Sequence, residues 1–235
     1  MKLIDRYNRK ITYLRLSVTD RCDLRCKYCM KEKMTFLSKD QILTLEEIER
    51  LCDNFIDLGI NKIRLTGGEP LVRKNVISLI KNLGNKIDNS NLKELTLTTN
   101  GTLLSHYAKE LKEYGIQRIN VSLDTLDRNK YKKITRFGDL NKVLKGIEIA
   151  RKNGIKVKIN TVALKNFNEE EFIDIVKWCH EEELDITFIE VMPMGETDET
   201  RFSQYISLKE IFDKLNQEFN LNKIEKNTGG PSIYY

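Results

Sequence analysis

Apolar residues along this chain follow two alternating rhythms. From Leu14 to Met192, short β-rich runs alternate with longer segments in which apolar residues recur at helical spacing, the pattern of a parallel sheet covered by helices. The short runs predict six strands, at Leu14–Thr19, Lys62–Thr66, Glu94–Thr98, Arg118–Leu123, Lys156–Ala163 and Ile186–Val191. Between them, Thr44-Leu45-Glu46-Glu47 reads as a capping box before Ile48, Leu51, Cys52 and Phe55, with Gly59 as the stop. Leu140, Val143, Leu144, Ile147 and Ala150 form a second apolar stripe before Gly154, and Phe172, Ile175, Val176 and Cys179 a third. Ser207 and Glu210 predict one more capped helix, carrying Leu208, Ile211, Phe212 and Leu215. The fold class expected is α/β, a partial TIM-type barrel of about six parallel strands with outer helices. It would form one domain over 1–235, with 1–13 as an N-terminal extension and about 196–235 as the start of a C-terminal region.

In parallel α/β folds, ligands meet the loops at the C-terminal ends of the strands. The unusual residues fall there: Cys22 after strand one, Gly67-Gly68-Glu69-Pro70 after strand two, Thr99-Asn100-Gly101 after strand three and Met192-Pro193 after strand six. Cys22, Cys26 and Cys29 follow a Cys-x3-Cys-x2-Cys spacing and offer three thiolates to a metal. A structural zinc site closes with four protein ligands, and an ordinary iron–sulfur electron carrier uses four cysteines. With three, one coordination position stays open, which favours a catalytic iron site over structural zinc. Cys52 and Cys179 lie within amphipathic stripes and are assigned to packing, as is Trp178; His106 and His180 show no ligand spacing.

Composition adds bounds. At 235 residues and 40% hydrophobic the chain can bury a substantial core. Lys and Arg total 40 against 35 for Asp and Glu, a net charge of +5 that leans weakly towards anionic ligands. The basic stretch from Arg128 to Arg136 reads as a solvated helix face, so no nucleic acid is expected. The N-terminus lacks the apolar run of a signal peptide, and nowhere do about 18 apolar residues run on uninterrupted as a membrane span requires. No membrane association is expected. An odd number of cysteines, three of them clustered, argues against a secreted disulfide framework and suits a reducing interior, and the expected location is cytoplasmic.

The cysteine spacing followed by Gly67-Gly68-Glu69-Pro70 on the next βα unit resembles the radical S-adenosylmethionine superfamily. That resemblance implies a 4Fe–4S cluster on Cys22, Cys26 and Cys29 whose open iron takes S-adenosylmethionine. Closer similarity, to the GTP 3′,8-cyclases of molybdenum-cofactor synthesis, runs through Ile4-Asp5, Leu14 to Cys22, Ile63 to Pro70, Leu97 to Gly101, Ile119 to Asp124, Phe188 to Gly195 and Gly229 to Tyr235. It implies S-adenosylmethionine contacts at Tyr28, Gly68, Ser122 and Met192, with Met192 alone reading as simple core. Arg15, Arg64, Thr98 and Lys165 would serve a GTP substrate. Arg15 lies in an otherwise apolar strand, where an unpaired charge would be costly, and so calls for a partner. The partners implied are a low-potential electron donor and a downstream pterin-forming enzyme, with a homodimer as a further expectation. Relatives continue into a second cysteine triplet for another 4Fe–4S cluster, a cofactor expected only in a full-length relative. Thr187 replaces a common arginine, and Lys31 a proline.

Overall fold

The computed structural model describes residues 3–192, 201–226 and 232–235. Pro193, Met194, Gly195 and Gly229 to Pro231, part of the similarity above, lie outside the described residues. The strands are β1 (Tyr13–Ser17), β2 (Lys62–Thr66), β3 (Glu94–Thr99), β4 (Arg118–Ser122), β5 (Lys156–Ala163) and β6 (Asp185–Glu190). They follow one another in sequence order in a six-stranded sheet, every pair with a resolved register being parallel. The α-helices described are α1 (Leu45–Asp57), α2 (Val76–Gly84), α3 (Leu104–Glu113), α4 (Arg128–Thr135), α5 (Leu140–Lys152), α6 (Phe172–Glu181) and α7 (Leu208–Phe219). The expected α/β class and six parallel strands are therefore present, with β2 and β5 at their expected bounds and the others displaced by a residue or two.

Contacts divide the chain into two compact units. The first comprises Met1–Asp23, Met34–Val121 and Asn141–Val157. Helix α1 starts at its expected capping box: Glu47 N donates to Thr44 Oγ1 at 3.2 Å while Thr44 N donates to Glu47 Oε2 at 2.8 Å. Strand alternation sorts the side chains. Ile63, Leu65, Leu95, Leu97, Ile119 and Val121 are buried in the apolar core with Ile48, Cys52, Leu79, Leu83, Leu104 and Val143 from the helices. The opposite face is polar on every strand, because the register sets Arg15 beside Arg64 and Arg64 beside Thr96, with Thr98 beside Asn120. On that face Glu94 accepts from Lys62 at 3.0 Å and Arg118 at 2.6 Å.

The second unit comprises Leu24–Lys33, Ser122–Leu140 and Lys158–Tyr235. Phe172 of α6 packs edge-on against Phe188 of β6, their rings 5.0 Å apart, in a core shared with Ala163, Ile206, Ile211 and Leu215. A smaller cluster of Ile134, Leu164 and Val191 is flanked by Tyr28, Val162 and Phe167. The cysteine segment is tied to the end of α4 by backbone bonds, Arg25 N to Thr135 O at 3.1 Å and Lys27 N to Ile134 O at 3.0 Å.

Candidate active site

In the first unit, the end of β1 and the loop after β2 hold one another through their backbones. Gly68 N donates to Thr19 O at 2.7 Å and Glu69 N to Arg21 O at 2.8 Å. Only glycine permits this. Gly67 has φ +145°, and a Cβ on Gly68 would overlap the carbonyl oxygen of Arg21. The close approach that these glycines serve in the structure is thus to the chain leading into Cys22.

Glu69, 1% exposed, is the hub of this half. Its Oε1 accepts from Leu71 N at 3.0 Å and Thr99 Oγ1 at 2.8 Å, and its Oε2 from Asn100 N at 2.6 Å. Burial outweighs these three accepted bonds and pushes its carboxyl up to about 7, with the nearby Asp23 adding to the rise. Glu69 thus caps the short helical turn at Pro70–Val72 and also joins it to Thr99 and Asn100 at the end of β3, a role that its place in the sequence does not mark. Asn100 in turn donates to Asp23 Oδ1 at 2.7 Å and approaches Cys22 Sγ at 3.7 Å.

Three of the expected substrate residues lie on the polar face of this unit. Arg64 is half-buried, its Nε has no hydrogen-bond partner, and its guanidinium lies 5.6 Å from the Tyr13 ring centre. Thr98 Oγ1 is likewise buried without a partner. A buried donor left unpaired is costly, so these two atoms mark a surface built to receive acceptors. Arg15 differs from expectation. It is exposed, because strand alternation carries it away from the apolar neighbours that seemed to surround it, and no desolvation cost demands a partner.

In the second unit, Cys29 N donates to Cys26 O at 2.8 Å and Met30 N to the same oxygen at 3.1 Å, folding the cysteine segment into a turn. Arg136, at φ +64°, ends α4 in a backbone region that non-glycine residues rarely occupy. From there its Nη1 donates to Arg25 O at 2.9 Å and Met30 O at 3.3 Å, bracing both ends of that turn. Tyr28 OH donates to Asp124 Oδ2 at 2.7 Å, and Asp124 Oδ1 accepts from Val162 N at 2.9 Å. Burial pushes the Asp124 carboxyl up to about 6 and the Tyr28 phenol well above its ordinary range. Ser122 stands half-buried at the end of β4. Met192, 60% exposed just past β6, is not a core residue.

Lys165 is exposed on the turn after β5, where its backbone N donates to Gln204 O at 2.8 Å. Among the described residues of this unit, Lys158 is the buried cation, 4% exposed inside β5, and its Nζ donates to Tyr234 OH at 2.9 Å. Sequence reasoning passed over Lys158 because Lys156 and Lys158 alternate like surface residues, and only packing distinguishes an inward lysine from an outward one.

None of the five cysteines forms a disulfide. Cys52 and Cys179 are 0% and 1% exposed with thiols pushed up to about 12 by burial, as packing residues should be. Cys22, Cys26 and Cys29 share the loop after β1, the first two half-buried and the last exposed. Among the described residues no three His, Cys, Asp or Glu side chains already stand at metal-binding separation. The donor set nonetheless fits an iron–sulfur cluster in its chemistry: three accessible soft thiols close along the sequence, with the turn around Cys26 and Cys29 braced by Arg136.

The chain belongs to the radical SAM superfamily, whose family model matches residues 16–179. Among curated proteins it is similar to the GTP 3′,8-cyclase of Rhizobium etli, 57% identical over 232 residues that span 99% of this chain and 66% of the relative. The GTP 3′,8-cyclase of Nitrobacter winogradskyi is 53% identical, with 99% of this chain and 68% of the relative covered. The chain thus spans about two thirds of the length of the curated relatives it matches. Its fold resembles that of Streptococcus suis SuiB bound to S-adenosylmethionine, with a TM-score of 0.68, 21% identity, and coverage of 88% of this chain and 46% of that one.

Proposed function

We propose that this chain performs the radical chemistry of a GTP 3′,8-cyclase, the conversion of GTP to 3′,8-cyclo-7,8-dihydro-GTP in molybdenum-cofactor synthesis. The observation that carries this reading is 57% identity to a protein of that name across 99% of the chain. It is supported by three accessible cysteines on the loop after β1 and by unpaired buried donors of Arg64 and Thr98 on the polar sheet face.

Cys22, Cys26 and Cys29 are the proposed ligands of a 4Fe–4S cluster. Together with S-adenosylmethionine, such a cluster supplies a carbon-centred radical able to take hydrogen from carbon 3′ of the GTP ribose. The chain's own residues bind and orient. Tyr28 is fixed by Asp124, so the segment between Cys26 and Cys29 presents a constant backbone; Gly68, Ser122 and Met192 are proposed to complete the S-adenosylmethionine contacts. Arg64 and Thr98 offer their unpaired donors to GTP, Arg15 adds a cation on the same face, and Lys165 is a further proposed contact. Holding the ribose in one pose favours attack on carbon 8 of guanine over competing hydrogen transfer. A low-potential reductant, a pterin-forming enzyme that consumes the product and a second copy of the chain are the proposed partners. A second cluster is proposed only for the longer relatives.

The test is anaerobic iron and sulfide loading of the 235-residue chain, followed by reduction with S-adenosylmethionine, with and without GTP. Iron-dependent 5′-deoxyadenosine formation that responds to GTP supports the reading. Stoichiometric zinc with no iron uptake overturns it.

A further inference from the structure

The Asn100 side chain has two amide hydrogens, and each faces an acceptor: Asp23 Oδ1 at 2.7 Å and Cys22 Sγ at 3.7 Å. Its orientation is fixed from the other side. Asn100 Oδ1 accepts from Thr102 N at 3.0 Å and stands 2.8 Å from Thr102 Oγ1, while the Asn100 backbone N is held by Glu69 Oε2 at 2.6 Å. The second oxygen of Asp23 accepts from Thr102 Oγ1 at 2.6 Å. Asp23 is therefore clamped beside the sulfur of its neighbour, Oδ1 lying 3.9 Å from Cys22 Sγ.

Two anions so placed would repel once Cys22 is a thiolate, and the Asn100 carboxamide reaches both. We infer that Asn100 is a positioning residue that bridges Cys22 and Asp23 and sets the reduction potential of the iron–sulfur cluster. This rests on the proposed cluster ligation by Cys22. An N–H donated to a ligating sulfur draws charge from it and favours the reduced, more negative cluster, whereas a carboxylate beside the same sulfur disfavours reduction. Asn100 supplies the first effect and blunts the second. Its two acceptors and its tether to Glu69 belong to one compact unit, so the arrangement is built into the scaffold before any metal binds.

The experiment is an EPR-monitored redox titration of the anaerobically loaded 235-residue chain, with iron and sulfide counted for each protein. Asn100→Ala is expected to lower the midpoint enough to cut the reduced fraction about tenfold at a fixed poise, which is about 59 mV for a one-electron couple. Asn100→Asp, isosteric but without the donor, is expected to lower it further, and Asp23→Asn to raise it. A fully loaded Asn100→Ala protein with an unmoved midpoint overturns the inference. Should that variant fail to load, an unmoved midpoint in Asn100→Asp or Asp23→Asn overturns it equally. Failure of the unaltered chain to take up iron overturns both this inference and the proposed function, whereas unmoved midpoints in loaded proteins overturn this inference alone.

Discussion

Chemistry at single residues turns on burial. Cys22, Cys26 and Cys29 are accessible, while Cys52 and Cys179 are sealed in apolar stripes. Replacing any one of the first three with Ala should abolish the intact cluster, measured as iron content and visible absorbance. Cys52→Ala should keep the cluster and lose about 1 kcal/mol of stability, the ordinary cost of a small core truncation. Glu69 gives a prediction in pH. Its folded value of about 7 lies above the ordinary 4.5, so between these values the folded state holds a proton that the unfolded state has released. Its contribution to stability is then present below about 4.5 and is lost as pH rises to about 7, on the order of 3 kcal/mol for that shift. Denaturant titrations of metal-free protein from pH 4.5 to 8 should show that decline, and Glu69→Gln should flatten it. An unchanged slope in the variant would contradict the assignment. Glu69 was the residue least legible from sequence, because its three hydrogen-bond donors come from two separate loops.

Elements place these residues, and the joint between the loop after β2 and the end of β1 matters most. Gly68→Ala would drive a methyl group into the Arg21 carbonyl, and backbone cannot yield as a flexible side chain can. The expected outcome is a loss of several kcal/mol with weakened cluster loading, because the bonds at Thr19 O and Arg21 O precede Cys22 directly. Thr44→Ala, which removes only a helix cap, should cost about 1 kcal/mol and leave loading intact. Thermal unfolding and iron counts on the two variants distinguish a joint that shapes the site from an end that only stabilises a helix. Both capping boxes were visible in the sequence, since their partners lie three residues apart. The bracing of the cysteine turn by Arg136 was not, because Arg25 and Arg136 lie far apart along the chain and nothing in the local pattern marks a positive φ there.

For the molecule as a whole, the sheet's polar face carries the substrate prediction. Arg64 offers an unpaired donor among Arg15, Arg118 and Tyr13, so Arg64→Ala should weaken GTP binding by about tenfold or more, roughly 1.5–3 kcal/mol for a charge-assisted bond. Guanosine, lacking phosphates, should bind the variant and the parent alike. Equilibrium binding of both ligands checks this, and equal GTP affinity would remove Arg64 from the proposed site. Cluster loading should also raise the melting temperature, because the ligated metal binds the folded chain in preference to the unfolded one.

The sequence alone determined the α/β class and the six strands, and it singled out the three cysteines proposed as cluster ligands. Each of these follows from local spacing: period two or near-continuous apolar runs for strands, three to four for helices, and close thiols for metal. What only the tertiary structure decided was which polar residues are buried and what they face. Arg15 turned out to be exposed although its strand neighbours are apolar, Lys158 is buried while Lys165 is not, and Met192 lies outside the core. The hubs at Glu69, Asp124 and Asn100 join residues from different loops. Such placements depend on register and on hydrogen bonds between distant segments, and sequence spacing carries no trace of either until the sheet brings those segments together.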